Sequence, residues 1–191
     1  MARRLVLASA SPRRKFLLEE AGFDVTCVVS GADELDDPSF APAALALENA
    51  GRKAAAVAVQ FPEETVIAAD TVVWMDGRFY GKPADRPDAL RMLTELAGRT
   101  HVVVTGVVLR GPGGSGDAFA ESSTVRFHPL GAAALADYLD AVHTLDKAGA
   151  YAAQDDNGRI IHSIEGSLTN VIGLPMERLL EVLATTGRAG R

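Results

Sequence analysis

The sequence predicts an α/β fold with a mixed, twisted sheet and flanking helices. Strand-like apolar runs alternate with helical runs through the first half of the chain, as in folds that contain parallel strands. A long hairpin of two β-type runs follows, and a hairpin requires antiparallel pairing. The 191 residues, of which 48% are hydrophobic, suit one domain with a sizeable core, or a bilobed one around a central cleft.

The first half of the chain is expected to alternate between short strands and helices. Pro42 suits the first turn of a helix, and the alanine-rich segment after it favours helix. The strands are rich in valine, and glycine, proline or polar loops separate them from the helices. In chain order the expected elements are strand 5–8, helix 15–21, strand 23–29, an acidic loop over 30–40, a helix from 42 to about 61, and strand 65–70.

The second half begins with a hairpin, because Asp76-Gly77 is a strong two-residue turn signal between apolar runs. We expect one domain over residues 1–187 and a frayed tail over 188–191. The further expected elements are strands 72–75 and 78–80, helix 87–96, strands 100–109 and 118–128 across a glycine-rich loop, helix 132–141, strand 160–164 and helix 176–184.

Composition restricts the partners. The formal net charge of −6 and the pI near 5.2 argue against a broad nucleic-acid footprint, so no nucleic-acid partner is expected. No apolar run approaches the length of a membrane helix, so no membrane partner is expected. Cys27 is the only cysteine, which excludes an intrachain disulfide and favours the cytoplasm. We expect a homodimer.

The segment from Ser9 to Arg14 joins the first strand to the first helix. Ser9 and Ser11 are favoured N-cap residues, and Pro12 fits the first helical position. Free backbone N–H groups, the helix dipole and the guanidinium groups of Arg13 and Arg14 then suit a polyanion such as a phosphate chain. The alternative is a capped surface helix with two solvated arginines.

Asp70 stands alone in the apolar run 66–74. An ionised carboxylate in such a run is costly unless it is paired, hydrogen-bonded or bound to metal. The functional interpretation is metal-assisted phosphate chemistry. The alternative is that two short strands meet here and that Asp70 caps the turn between them.

Other candidates carry weaker signals. The segment 111–116 matches G-x-G-x-x-G, but a strand-like run follows it instead of a helix, so a hairpin loop is expected. Glu34 in the acidic loop, Lys53 on the alanine-rich helix and Lys82 beside Pro83 are by themselves ordinary surface charges. The segment 146–151, which contains Lys147, has the composition of a ligand-lining loop.

Taken together, these segments resemble the Maf family of nucleoside triphosphate pyrophosphatases. The matching segments occur in the family's order and span nearly the whole chain. They are LASASPRR at 7–14, ADTVV at 69–73, GKP at 81–83, TGV at 105–107, DKAGAY at 146–151 and NVIGLP at 170–175.

The resemblance implies a fold like that of the inosine triphosphate pyrophosphatases. It implies hydrolysis between the α- and β-phosphates with a divalent cation such as Mg²⁺, Mn²⁺ or Co²⁺. Asp70 matches the family's catalytic acidic residue, and Glu34 with Asp70 would hold the cation. The residues that match the family's polar pocket are Ser9, Arg13, Arg14, Glu34, Lys53 and Lys82, and Lys147 belongs to the loop at 146–151.

The resemblance also implies a base preference. Arg13, Thr71 and Gln154 match positions that mark the branch acting on dTTP and UTP. The chain departs from the family where Asp155 replaces the usual glycine after Gln154, and Leu168 stands where tyrosine is common. Three alternatives stay open: a non-catalytic regulator of cell division that binds a protein, a different phosphate enzyme, and a pyrophosphatase that prefers CTP or 7-methyl-GTP.

Overall fold

The computed structural model describes residues 3–186, so the tail expected at 188–191 lies outside the described residues. Within this range seven strands form one sheet. The strands are β1 (Arg3–Leu7), β2 (Phe23–Cys27), β3 (Val66–Met75), β4 (Arg78–Tyr80), β5 (Thr100–Arg110), β6 (Gly116–Phe127) and β7 (Ile161–Glu165). The helices are α1 (Pro12–Glu20), α2 (Pro42–Ala58), α3 (Arg86–Leu96), α4 (Ala132–Ala141), α5 (Leu168–Ile172) and α6 (Met176–Thr185).

The sheet is mixed, as the sequence predicts. Its strand order is β2-β1-β3-β5-β6-β7, and β4 pairs with β3 off this path. β1 is parallel to both β2 and β3, whereas the pairs β3–β5, β5–β6 and β6–β7 are antiparallel. Asp76 and Gly77 both have positive φ, 50° and 81°, which is the backbone of the expected two-residue turn between β3 and β4. Of the described helices, none is long and apolar enough to cross a bilayer.

The structure differs from the prediction at the strand through Asp70 and at the start of α1, and it contains one helix that was not predicted. Residues 66–75 form one continuous strand, so Asp70 does not cap a turn between two short strands. The strand continues because β5 pairs with it from Val66 to Trp74 without interruption. α1 begins at Pro12 instead of residue 15, and its N-cap Ser11 makes no side-chain capping bond. The short helix α5 had no periodic signal at only five residues, and the sequence did not predict it.

Alternation along β3 assigns its side chains to two different layers. Val66 and Ala68 pack with apolar residues of α2 on one face of the sheet. Ile67 and Ala69 pack on the opposite face with Leu18 of α1 and with α6. Because successive strand side chains point to opposite faces, the next pair, Asp70 and Thr71, is also divided between these layers.

Gly106 explains how close α2 lies to the sheet. It is paired with Asp70 in the β3–β5 register. A Cβ atom at Gly106 would lie 2.5 Å from the backbone of Ala46 and Leu47 in α2, which is far inside van der Waals contact. Only glycine allows this approach, and the approach brings the next two turns of α2 over Asp70.

Candidate active site

The candidate site is a cavity beside the middle of β3. β1 pairs with β3 only as far as Leu7 and Ile67, and β4 pairs with β3 from Val73 onward. On this edge Asp70 and Thr71 therefore have no neighbouring strand, and the gap opens into a cavity of about 760 Å³. That volume is within the usual range for small-molecule sites.

Arg14 lies on the α1 side of the cavity and is held by three neutral oxygen atoms. Its Nε donates to the carbonyl oxygen of Gly173 at 2.8 Å, Nη1 to Ser9 Oγ at 3.1 Å, and Nη2 to Thr71 Oγ1 at 3.0 Å. Burial lowers the pKa of Arg14 below its usual value, and the negative charge of Asp70 partly offsets this effect. Among the described residues, no carboxylate lies within 4.0 Å of its guanidinium, so the charge faces the cavity without a close counter-ion.

Thr71 continues this network into the sheet. Its hydroxyl bonds with that of Thr105 at 2.9 Å, and Thr105 Oγ1 donates to the carbonyl oxygen of Asn170 at 3.1 Å. Asn170, fully buried at the start of NVIGLP, donates its amide to Val103 O and Ser123 Oγ. The two family segments TGV and NVIGLP therefore meet behind the cavity and fix the hydroxyl that holds Arg14.

On the α2 side a buried lysine is shared by two carboxylates. Lys53 Nζ lies 2.7 Å from Asp70 Oδ1 and 2.5 Å from Glu34 Oε1. Partial burial raises the pKa of Glu34, but the hydrogen bond and charge of Lys53 outweigh it and hold this pKa below its usual value. The Asn49 amide donates to Asp70 Oδ2 at 3.2 Å, so both oxygens of Asp70 have donors.

At the mouth of the cavity an ion pair joins α1 to the loop that precedes residue 148. Arg13 Nη1 donates to Asp146 Oδ2 at 2.9 Å, and Lys147 Nζ donates to Asp146 Oδ1 at 2.6 Å. Lys147 also donates to the carbonyl oxygen of His143. Partial burial raises the pKa of Asp146, but the hydrogen bonds from Lys147 and Arg13 prevail and lower it to about 2.

Lys82 and Gln154 lie on the remaining walls. Lys82 is exposed and forms no ion pair within 4.0 Å with any described residue. Gln154 is exposed in a short 3-10 segment, Ala153–Asp155, and its Nε2 donates to Asp155 Oδ2 at 3.1 Å. That bond leaves the Gln154 carbonyl oxygen and one N–H for a ligand.

Tyr151 forms an apolar wall with a histidine behind it. His101 Nε2 lies 2.9 Å from the Tyr151 hydroxyl, and the ring of Phe127 packs edge-on against both rings. Burial lowers the pKa of His101 to about 4, so the imidazole is neutral near pH 7. His101 is therefore a neutral hydrogen-bond partner of the Tyr151 hydroxyl.

The donor set fits a hard divalent cation that also binds phosphate. Mg²⁺ is commonly held by one or two carboxylates together with substrate phosphate oxygens and water. Glu34 and Asp70 are two carboxylates that share one ammonium at the cavity wall. Over residues 3–186 no group of three or more histidine, cysteine or acidic residues could hold a metal by itself, so the remaining ligands would have to come from substrate and water.

The cavity brings together all ten residues proposed from the sequence. They are Ser9, Arg13, Arg14, Glu34, Lys53, Asp70, Thr71, Lys82, Lys147 and Gln154. Sequence reasoning missed Asn49, which also lines the cavity. A signal was present, because Asn49 is four residues before Lys53 and such a pair lies on one face of a helix.

Comparisons with known proteins agree with this geometry. A curated dTTP/UTP pyrophosphatase of Akkermansia muciniphila is 42% identical over 183 residues, covering 96% of each chain. Another, from Anaeromyxobacter sp., is 44% identical over 191 residues, covering 98% of this chain and 91% of its own. The solved Ham1 protein of Staphylococcus aureus has a TM-score of 0.54 at 18% identity, covers 96% of this chain and 99% of its own, and shares the fold. The family model for Maf-like proteins matches residues 4–186, and the chain belongs to the Maf family.

Proposed function

We propose that this protein is a nucleoside triphosphate pyrophosphatase that hydrolyses dTTP and UTP to the monophosphate and pyrophosphate. The names of its relatives support the activity and the substrates. The observation that carries the proposal is Arg14, whose guanidinium faces the cavity with only neutral acceptors. A buried charge is stable when it is paired, and an arginine stays charged at any ordinary pH. A triphosphate supplies the missing anion.

The two sides of the cavity suit different parts of that substrate. Arg14 and Ser9 on one side bind phosphate oxygens, as does Lys82 on a further wall, and Arg13 with Lys147 extends this positive surface toward the mouth. Glu34 and Asp70 on the other side are the carboxylates that would hold the divalent cation. The cation, when bound, polarises the phosphate and lowers the pKa of water.

The proposed reaction is an in-line displacement at the α-phosphorus. A water oxygen bonds to the α-phosphorus, the bond to the bridging oxygen breaks, and pyrophosphate leaves with the electron pair. The water proton passes to a carboxylate, and Asp70 is the buried carboxylate in this cavity. Asp70 acts either as this base or as a cation ligand. Mn²⁺ affinity distinguishes the two roles, because Asp70→Asn weakens Mn²⁺ binding only if Asp70 is a ligand.

We assign base recognition to Gln154. Its free carbonyl oxygen and N–H complement the N3–H and O4 edge that uracil and thymine share. A site built for that edge disfavours bases that leave its polar groups unpaired. Asp155 holds the Gln154 amide at 3.1 Å, which favours one orientation of that amide over the other.

The test is a competition in Mg²⁺ or Mn²⁺ among dTTP, UTP, CTP, GTP and 7-methyl-GTP in ¹⁸O-labelled water. We expect dTTP and UTP to be consumed first, with pyrophosphate and monophosphate in equal amounts and the label in the monophosphate. Label in pyrophosphate, or release of orthophosphate, would replace this reaction with another phosphate chemistry. Preference for CTP or 7-methyl-GTP would overturn only the base assignment, and no turnover would favour the non-catalytic regulator.

We also propose that the protein acts in the cytoplasm as a homodimer, without nucleic acid. The single cysteine, Cys27, and the acidic net charge support the compartment and the lack of a nucleic-acid partner. Light scattering on the purified chain tests the dimer, and a mass of one chain would contradict it.

A further inference from the structure

We propose that Asn49 is a positioning residue that ties the acidic loop to Asp70 and so sets the separation of the two carboxylates. Asn49 is only 3% exposed on the cavity face of α2. This inference rests on the proposed function, because that function assigns Glu34 and Asp70 as the cation ligands whose separation matters.

The Asn49 amide makes a two-point contact with the loop. Leu35 N donates to Asn49 Oδ1 at 2.7 Å, and Asn49 Nδ2 donates to the carbonyl oxygen of Leu35 at 3.1 Å. One side-chain amide therefore pairs with one backbone residue as a neighbouring strand would. Glu34 precedes Leu35, so this contact fixes the backbone that carries the half-exposed carboxylate.

The second N–H of the same amide reaches Asp70. Asn49 Nδ2 donates to Asp70 Oδ2, while Lys53 Nζ donates to Asp70 Oδ1 and pairs with Glu34 Oε1. The contacts close a ring that runs from Asn49 through Asp70, Lys53, Glu34 and Leu35 back to Asn49. In such a ring neither carboxylate rotates or shifts without breaking a hydrogen bond.

Only an amide satisfies all of these contacts. The carbonyl oxygen accepts one bond and the NH₂ group supplies two donors, so a carboxylate lacks both donors. A serine hydroxyl is too short to bridge Leu35 and Asp70. A leucine of similar volume fills the site but leaves Asp70 Oδ2 and the Leu35 backbone without these partners.

The test uses Asn49→Leu, with Asn49→Ser as a second variant if the first does not fold. The control is Val57→Ala, which creates a cavity in the same helix among apolar neighbours and away from the site. We expect the kcat for dTTP to fall by about 10²-fold in Asn49→Leu, since a misplacement of about 1 Å costs this much. Tripolyphosphate affinity without metal should change by less than about threefold, because Arg14 and Lys82 are untouched.

A spectroscopic readout separates positioning from stability. Amide exchange at Leu35 should accelerate by about tenfold or more in Asn49→Leu, and the Asp70 carboxyl ¹³C signal should move, because both groups lose a hydrogen-bond partner. Val57→Ala should lower the unfolding temperature and change neither signal nor kcat. An unchanged kcat, or an unchanged exchange rate at Leu35, overturns the proposal.

Failure of the proposed function gives a different result. If the unmodified protein hydrolyses no triphosphate, that function fails, while Leu35 exchange and the Asp70 signal still report whether Asn49 holds both groups. If both signals then stay unchanged in Asn49→Leu, the positioning role fails as well.

Discussion

Two cations line one cavity, the buried Lys53 and the partly buried Arg14, and their charges are balanced in opposite ways. Lys53 lies between Asp70 and Glu34, so two negative charges more than balance it. Arg14, on the other face of the same strand, bonds only to neutral oxygens. One side of the cavity therefore carries excess negative charge and the other excess positive charge, although the β3 residues that contact them, Asp70 and Thr71, are adjacent in sequence.

A third basic group, His101, has neither a carboxylate partner among the described residues nor an open face toward the cavity. His101 is buried with aromatic neighbours and no acid, and it loses its charge, with a pKa of about 4. Arginine cannot lose its charge by deprotonation in the same way, because its pKa is too high. Arg14 therefore depends on an anion from outside, whereas Lys53 does not. This difference predicts where phosphate binds and where a cation binds.

The largest effect is expected at the negative side. Asp70→Asn removes a charge that balances Lys53 and the carboxylate proposed to react, so kcat should fall by at least about 10²-fold. The matched control is Asp33→Asn, which neutralises an acidic-loop carboxylate outside the cavity. Steady-state kinetics with dTTP measures both. Near-normal turnover of Asp70→Asn in Mg²⁺ or Mn²⁺ would contradict the mechanism.

The next effect is expected at the positive side. Arg14→Met removes the unbalanced guanidinium, and kcat/KM for dTTP should fall by about 10²-fold, with weaker binding of tripolyphosphate in metal-free calorimetry. Arg14→Lys keeps the charge but not the three-point contact, and should recover only part of the affinity. Arg52→Met, on the exposed face of α2, serves as the control. Equal tripolyphosphate affinity in Arg14→Met and the unmodified protein would show that Arg14, like Lys53, does not bind an external anion.

A smaller effect of opposite sign is expected at the mouth. Asp146 occupies Arg13 and Lys147 where a phosphate would bind, so Asp146→Asn should bind tripolyphosphate more tightly, by about threefold, with a steeper salt dependence. Arg13→Ala should weaken binding with little change in thermal stability. Asp140→Asn removes an exposed partner of Arg86 far from the site and should change neither property. Weaker binding in Asp146→Asn would mean that Asp146 organises the two cations instead of competing for them.

A separate effect, on stability instead of binding, concerns pH at His101. In the unfolded chain the imidazole pKa returns to about 6.5, so between pH 6.5 and 4 the unfolded state binds more protons. The free energy of unfolding should therefore be fully present above pH 6.5 and fall as the pH drops toward 4. Urea unfolding at pH 7 and pH 5 measures this, and His101→Gln should reduce the difference. The exposed His162→Gln should not, and an equal effect from both would show that His101 is not the group responsible.

The sequence predicted most of the fold and all ten proposed cavity residues, for reasons that differ between segments. Strong local signals, such as Asp76-Gly77 and the alanine-rich helix, gave the hairpin and α2. The single strand through Asp70 could not be predicted locally, because its continuity depends on pairing with β5 and on the positive charge of Lys53. Asn49 was missed because its partners, Leu35 and Asp70, come from separate segments that only the close approach at Gly106 brings together.

The shared strand β3 also has a mechanical consequence. It pairs with β1 at its start and with β4 at its end, and β5 spans the same length in continuous register from Val66 to Trp74. Asp70 and Thr71, which support the two sides of the cavity, thus lie on one continuously paired strand. Ligand entry must then be accommodated by the acidic loop before α2 and by the segment around Asp146. Amide exchange should slow in these two loops on tripolyphosphate binding and stay constant along β3 and β5.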